Sequence, residues 1–273
     1  MPRRSNVILW IAMLRRKTPK NLRIVSLAPN ATSILCALGA RSYLVGVTQW
    51  CSDVAPVKQL PKFGDCWKLE SVPDILKLRP DLVIGSVPFK TETLGKLLEH
   101  PIRFLALNPR SLRDIESDIQ LLAGMTRREP AAERVIAKMR RAFSAIRKAS
   151  GRGRKLRVYC EAWPNPRITS PPWVAELAAF CKAEFVGTPG ARILDEEVAA
   201  ANPDAIVLAW AATGDRAKAE TVYANAKWRD VAAVRNRRVF VLRDELLNTP
   251  APILTKGAAA LSKILRFRKH TAV

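Results

Sequence analysis

Short apolar strands alternate with helices along this chain, and the alternation occurs twice. In the first half, a strand over 22–27 is broken by Pro29, and a helix over 31–38 follows and ends at Gly39. Proline interrupts regular pairing, and glycine readily adopts the left-handed conformation that terminates many helices. Strands that alternate with helices usually pair in parallel through helical crossovers, so the pattern predicts an α/β fold.

The second half repeats the order of the first. The string Leu156-Arg157-Val158 corresponds to Leu22-Arg23-Ile24, and Asn202-Pro203-Asp204 corresponds to Arg79-Pro80-Asp81. In the latter pair a proline ends a helix, and a buried strand begins directly after it. We therefore predict two Rossmann-like α/β lobes, each built on a parallel sheet.

A long helix is predicted between the two halves. Pro130 suits its first turn, and Val135, Met139 and Phe143 lie on one face of a helix that runs to about Ser150. About 20 residues span roughly 30 Å, enough to join the lobes as a strut that permits little closure. The predicted organisation is a basic N-terminal extension at 1–21, an N-terminal lobe at 22–126, the connecting long helix at 127–152, and a C-terminal lobe with a basic tail at 153–273.

The positive charge of the chain is concentrated in three segments. Residues 1–23, 127–157 and 263–269 carry +21 of a formal net charge of +22. A nucleic-acid-binding protein would gather these cations around its recognition elements, whereas here they lie on two tails and one helix. We expect solvated faces and no specific nucleic acid, with a basic polyanion-binding protein as the alternative.

The N-terminus does not resemble an ordinary signal peptide. An apolar run over 7–14 follows Arg3 and Arg4, and Arg15-Arg16-Lys17 comes directly after it. A secretory signal has about 7–15 apolar residues followed by a small-residue cleavage site. From these residues alone, both a cell-envelope and a cytoplasmic location stay open.

Catalytic and metal-binding motifs are missing from the sequence. The phosphate-binding glycine motifs, HExxH and GxSxG do not occur, and the five cysteines show no CxxC spacing. The two histidines, His100 and His270, have no ligand or triad partner at helical spacing. We therefore expect a binding protein rather than an enzyme, with no metal site and no required cofactor.

Tryptophans mark the predicted ligand site. Trp50 and Trp163 each follow a predicted strand, one in each half, Trp67 lies in a loop, and Trp173 opens a helix. Ligands of open α/β sheets bind outside the carboxyl ends of the strands. These four residues are therefore candidate ligand contacts, with Trp210 as a weaker one.

Five strings of the sequence carry a resemblance to a known family. They are Arg23-Ile24-Val25-Ser26-Leu27-Ala28-Pro29-Asn30, Leu44-Val45-Gly46-Val47-Thr48, Arg79-Pro80-Asp81-Leu82-Val83, Glu161-Ala162-Trp163 and Trp173-Val174-Ala175-Glu176. From residue 22 to about residue 266, the chain resembles the periplasmic substrate-binding proteins in which one long helix joins two α/β lobes, the class III fold that serves importers of vitamin B12, siderophores and haem. Within that class, the resemblance is to the cobalamin-binding branch.

The resemblance implies a ligand and the residues that would hold it. It implies a monomer that binds cobalamin between the lobes and delivers it to an ABC permease, or serves as a soluble carrier. Trp50, Trp67 and Trp163 occupy the places of aromatic residues that contact the corrinoid, and a late loop supplies polar groups through Asp244 and Asn248. Permease-docking carboxylates would be Asp74, beside Pro73 at the first-lobe position, and Glu196 in the second lobe.

Two other ligands are compatible with the same fold. A ferric siderophore would favour cations in the cleft, for which Arg167 and Arg192 are candidates. Haem usually needs a His or Tyr ligand to its iron, and none of Tyr43, Tyr159 and Tyr223 is an obvious one.

Overall fold

The computed structural model describes residues 22–69, 71–151 and 153–266, so the predicted N-terminal extension lies outside the described residues. The first half contains a five-stranded sheet in the order β3-β2-β1-β4-β5, with every pair parallel. Its strands are β1 (Ile24–Ser26), β2 (Leu44–Thr48), β3 (Lys62–Phe63), β4 (Leu82–Ser86) and β5 (Phe104–Leu107).

Four short helices cover this first sheet. They are α1 (Pro29–Ala37), α2 (Cys51–Val54), α3 (Val72–Lys77) and α4 (Thr91–Leu98). All five residues of β4 are buried, as expected for a strand covered by helices on both faces. Gly39 has a φ of +73° after α1, which confirms the predicted glycine termination.

Two consecutive helices lead from the first sheet to the second. These are α5 (Leu112–Thr126) and α6 (Glu129–Ala149), the latter with 21 residues, which confirms the predicted long helix. Gly124 lies inside α5 and does not end it. The helix continues because its buried face extends to Thr126, and it ends at Arg127 with a φ of 56°.

The second half repeats the plan with one difference. β6 pairs in parallel with β8 and β9, but β7 is antiparallel to β6, so this sheet is not wholly parallel. Gly187, with a φ of +84°, follows β8. The strands are β6 (Leu156–Pro164), β7 (Arg167–Thr169), β8 (Ala183–Phe185), β9 (Ala205–Leu208) and β10 (Val239–Val241).

Six helices surround the second sheet. They are α7 (Pro172–Phe180), α8 (Asp195–Ala201), α9 (Glu220–Tyr223), α10 (Ala232–Arg235), α11 (Glu245–Asn248) and α12 (Leu254–Arg266). Among the residues that the structure describes, no helix has both the length and the apolar character needed to cross a membrane.

The largest apolar cluster runs through both lobes. It joins β1 and α1 of the first lobe to α7 and α12 of the second through the buried face of α6. On that face, Phe143 stacks on Phe180 with ring centroids 5.2 Å apart. The two lobes and the long helix therefore share one continuous core.

Candidate functional site

A small cleft of about 130 Å³ lies between the two lobes. From the first lobe it is lined by residues 27–30, 65–67 and 86–88, and from the second lobe by residues 248–250. Residues 27–30 follow β1, Ser86 is the last residue of β4, and residues 87–88 follow that strand. The order of the first sheet reverses between these two strands, and ligands of open α/β sheets bind at such a switch point.

Apart from the Asp65 carboxylate and the Cys66 thiol, the polar side chains of the described cleft lining are amides and hydroxyls. Asn30 is 2% exposed, and its Nδ2 donates to the Ser86 Oγ at 3.1 Å. Asn248 donates from its Nδ2 to the Ala209 carbonyl at 2.7 Å, while its buried Oδ1 accepts no hydrogen bond from any residue in the described ranges. The second lobe thus presents an acceptor that a ligand N–H can satisfy.

Trp67 is the single aromatic residue among the described lining residues of the cleft, and 58% of its surface is accessible. Its loop is held by Asp65, whose Oδ1 accepts from the backbone N–H groups of Trp67 and Lys68, both at 2.9 Å. The Trp67 carbonyl accepts from the Thr93 Oγ1 at 3.3 Å. These bonds fix the backbone and leave the indole ring open to a ligand.

Trp50 and Trp163 lie at the carboxyl ends of central strands. Trp50 follows β2 and is half-buried at the start of α2. One turn later, Asp53 faces Arg243 of the second lobe, with Oδ1 and Nη2 at 3.7 Å. Trp163 lies near the end of β6, is 42% exposed, and donates from Nε1 to the Asn165 carbonyl at 2.9 Å.

Two predicted site residues have structural partners instead of an open face. Trp173 is 5% exposed within the main core, and its Nε1 donates to the Leu247 carbonyl at 2.7 Å. The buried Trp173 ring therefore supports the chain next to Asn248 rather than the ligand itself. Asp244 accepts from the backbone N–H groups of Ala212 at 3.1 Å and Gly214 at 2.7 Å, and burial raises its pKa.

A buried polar network lies beneath Trp163. Glu161 has no exposed surface, and its carboxylate accepts from the Tyr159 hydroxyl at 2.7 Å, the Arg167 Nη1 at 2.8 Å and the Trp210 Nε1 at 2.9 Å. Arg167 also pairs with Asp195 and covers the Trp228 ring at 4.2 Å from its centroid. The Arg167 charge is thus already compensated within the second lobe.

The cleft lining carries little charge. Among the described lining residues, only Asp65 has an ionisable side chain apart from the Cys66 thiol, and none is Lys, Arg, His or Tyr. Burial raises the pKa of Cys66 to about 12, so its thiol stays protonated and is a poor metal ligand. Nowhere in the described residues do three or more His, Cys, Asp or Glu side chains gather as a metal site would require.

The two candidate docking carboxylates are exposed. Asp74 pairs with Lys77 at 2.7 Å, and Glu196 pairs with Lys227 at 2.6 Å. Asp74 lies in the first turn of α3, which leads into β4, and Glu196 lies in the first turn of α8, which leads into β9. Both helices therefore begin at the carboxyl edge of their sheet, the edge on which the cleft opens.

Several cleft residues escaped sequence reasoning. Asn30, Ser86 and Thr249 line the cleft but were not among the predicted site residues. The signal that finds Asn30 and Ser86 is the adjacency of β1 and β4, which arises from long-range strand pairing. Asn248 alone among the predicted polar residues lines the cleft directly.

Comparisons with known proteins agree with this architecture. An uncharacterized ABC transporter substrate-binding lipoprotein of Bacillus subtilis, YvrC, is 27% identical over 261 residues, covering 91% of this chain and 80% of that protein. A vitamin B12-binding protein of Pectobacterium carotovorum is 26% identical over 196 residues, 68% of this chain and 70% of its own. A periplasmic heme-binding protein of Pseudomonas aeruginosa superposes with a TM-score of 0.74 at 27% identity, covering 89% of this chain and 91% of that chain.

The family model described as periplasmic binding protein matches residues 24–246, which include both sheets and the helix between them. This span covers most of the chain, and the relatives named above are substrate-binding proteins. The chain belongs to the periplasmic binding protein family, as a substrate-binding component of the ABC-importer type.

Proposed function

We propose that the chain binds a corrinoid, cobalamin or a close relative, at the cleft between its lobes and delivers it to an ABC permease. The observation that carries the proposal is the chemistry of the cleft, which combines an exposed indole with amides, hydroxyls and one carboxylate, and in which the described lining residues include no cation. A corrinoid is a broad, partly apolar macrocycle edged with neutral amides. Indole rings can cover its face while Asn30, Asn248 and Thr249 meet its rim.

The dimensions of the cleft limit how the ligand sits. Small-molecule pockets usually enclose about 300–1,000 Å³, well above the 130 Å³ found between the lobes. We infer that a corrinoid lies across the mouth with one edge toward the cleft, and that Trp67 and Trp163 contact it from opposite lobes. The free Oδ1 of Asn248 then accepts a hydrogen bond from an amide of the macrocycle.

The same chemistry disfavours the two rival ligands. Anionic siderophores and haem propionates need cations, but Arg167 is already paired with Glu161 and Asp195, and Arg192 is absent from the cleft lining. Haem iron also needs an axial ligand. Tyr159 is fully buried against Glu161, and the described cleft residues supply neither His nor Tyr.

The test is a direct comparison of ligands on the purified chain. Cobalamin, haem and a ferric siderophore are titrated separately, and binding is followed by tryptophan fluorescence and by the visible spectrum. The proposal expects saturable binding of cobalamin at the lowest concentration. Saturable binding of haem or the siderophore with no response to cobalamin would refute it.

Docking to the permease is tested separately from ligand binding. We infer that Asp74 and Glu196 contact the permease, because both are exposed beside the cleft edge. Asp74→Ala and Glu196→Ala together should abolish cobalamin uptake in a transport assay while leaving the cobalamin titration unchanged. Normal cobalamin uptake by the double variant would show that Asp74 and Glu196 are not needed for docking to the permease.

A further inference from the structure

The outer face of the long helix α6 carries a row of cations. The buried residues of this helix are Ala132, Ile136, Met139 and Phe143. At about 3.6 residues per turn, the positions opposite to that buried face are 134, 138, 141, 145 and 148. Position 145 is an alanine, and the other four form what we call the cationic row, namely Arg134, Lys138, Arg141 and Lys148. All four residues of the row are exposed.

The carboxylates of α6 lie on a different side of the helix. Glu129 and Glu133 are one turn apart, and Arg140 follows Glu133 by two turns, so these three residues share one flank. Arg140 forms an ion pair with Glu116 of α5, which shows that this flank faces α5. The acidic residues of α6 are therefore separated from the cationic row.

The arrangement of the row is unfavourable for a helix face that contacts only water. Opposite charges three or four positions apart stabilise a helix, and like charges at that spacing destabilise it. Lys138 lies four positions after Arg134 and three positions before Arg141, so each of these pairs repels. Within the described residues, the one ion pair of α6 is that of Arg140, and no carboxylate compensates the row. A bound anionic surface would remove this repulsion.

The neighbouring helices determine what shape of partner can reach the row. α6 packs against α5, α7 and α12, and the row lies on the side opposite its buried residues. At about 1.5 Å per residue, the row extends over about 21 Å from Arg134 to Lys148. A DNA-recognition helix inserts into a major groove that is about 12 Å wide. A helix packed among three others is poorly placed to insert, whereas a straight row of cations can lie along a flat surface.

We propose that the cationic row binds the anionic phospholipid headgroups of a membrane surface. Guanidinium and ammonium groups bind phosphate oxygens, and basic residues close to an anionic bilayer are attracted to its negative surface potential. The chain is a substrate-binding component of the ABC-importer type, so its partner permease lies in a membrane. Binding through the row would keep the protein at the surface in which that permease is embedded.

The row and the interlobe cleft are separate surfaces. None of the described residues that line the cleft belongs to α6. The helix ends at Ala149, shortly before β6 begins at Leu156, so its carboxyl end lies toward the amino edge of the second sheet. The cleft opens at the carboxyl edges. A protein held by the row therefore keeps the cleft accessible, and the proposal does not depend on which ligand the cleft binds.

The experiment measures sedimentation of the full chain with lipid vesicles. Vesicles that contain phosphatidylglycerol are compared with vesicles of phosphatidylcholine alone, at about 0.1 M salt, where the Debye length is about 10 Å. The proposal expects binding to the phosphatidylglycerol vesicles and little to the others. Absence of binding, or equal binding to both kinds of vesicle, would overturn it. A short DNA duplex is titrated in the same buffer, and binding of the duplex without binding of the anionic vesicles would also overturn it.

Two variants of equal charge decide whether the row is responsible. The row variant combines Arg134→Gln, Lys138→Gln and Arg141→Gln, and glutamine is a good helix former, so α6 is retained. The control variant removes three exposed lysines elsewhere in the lobes, through Lys58→Gln, Lys96→Gln and Lys218→Gln. Both variants keep the basic segments at 1–23 and 263–269, so any contribution of those segments is the same in both.

The expected difference between the variants follows from the charges removed. Each basic residue near an anionic membrane contributes roughly fivefold to binding, so three together contribute roughly a hundredfold. The row variant should therefore bind phosphatidylglycerol vesicles at least about tenfold more weakly than the control variant, and a smaller difference would overturn the proposal. Cobalamin titrations of both variants should match the unmodified chain, which separates this result from a failure of the proposed ligand site.

Discussion

Replacing Trp67 by alanine tests the proposed ligand site most directly. A tryptophan side chain can bury about 250 Å², and 58% of Trp67 is accessible, so a ligand can cover about 145 Å² of it. At about 25 cal/mol per Å², that contact contributes up to about 3.6 kcal/mol. After ordering costs, we expect a loss of about 2 kcal/mol, which is about thirtyfold in the dissociation constant.

The assay is a cobalamin titration followed by calorimetry, with thermal unfolding of the free protein as a check on folding. Because Trp67 is exposed, its removal should change the free energy of unfolding by less than about 0.5 kcal/mol. Leu98→Ala is the matched control, since Leu98 is also 58% exposed but ends α4 at the opposite edge of the same sheet. A Trp67→Ala protein that binds cobalamin as tightly as the Leu98→Ala protein would refute the assigned site.

Three further predictions concern binding, stability and pH. Trp50→Ala and Trp163→Ala should each weaken cobalamin binding at least about tenfold, and unchanged titrations of both folded variants would count against these contacts. Glu161→Ala should lower the free energy of unfolding in urea by about 3–5 kcal/mol, because it leaves Arg167 with one carboxylate fewer in a buried network; a loss below about 1 kcal/mol would contradict this role. Burial, with the nearby Asp114, raises the pKa of Asp118 to about 6 from 3.8. The folded state therefore binds the Asp118 proton more tightly than the unfolded state does. The stabilisation from this protonated carboxyl is complete below about pH 3.8, falls as the pH rises to about 6, and is lost above that pH. Asp118→Asn should raise the unfolding free energy at pH 7 by about 1 kcal/mol after allowance for solvent screening, with no gain at about pH 4, as denaturant titrations at both pH values would show.

Local signals predicted most elements of this fold because proline and glycine mark their boundaries. The long helix was expected from residue 130 to about 150 and spans Glu129–Ala149. Glycine does not always mark an end, since Gly124 lies inside α5 and the buried face of that helix continues to Thr126. The antiparallel β7 was also missed, since a strand of three residues has too short a pattern to reveal its direction.

The site was less accessible to sequence reasoning than the fold. The positions of the tryptophans relative to the predicted strands indicated where a ligand would bind. The sequence does not, however, distinguish an exposed indole such as that of Trp67 from one buried in the core such as that of Trp173. Which strands lie side by side depends on pairing between distant residues, here Ile24 with Leu82. That pairing brings Asn30 beside Ser86, so two cleft residues became visible only in three dimensions.

The apolar core that runs without a break through both lobes and the long helix affects how cargo leaves the protein. A large separation of the two lobes would expose part of that core to water, and the free-energy cost would be proportional to the apolar area exposed. We therefore expect the ligand to be released at the membrane after a small rotation of one lobe relative to the other, which weakens the proposed contacts of the ligand with the tryptophan rings. On heating, the two lobes and the long helix should unfold as a single cooperative unit, because neither lobe retains a complete interior without the other.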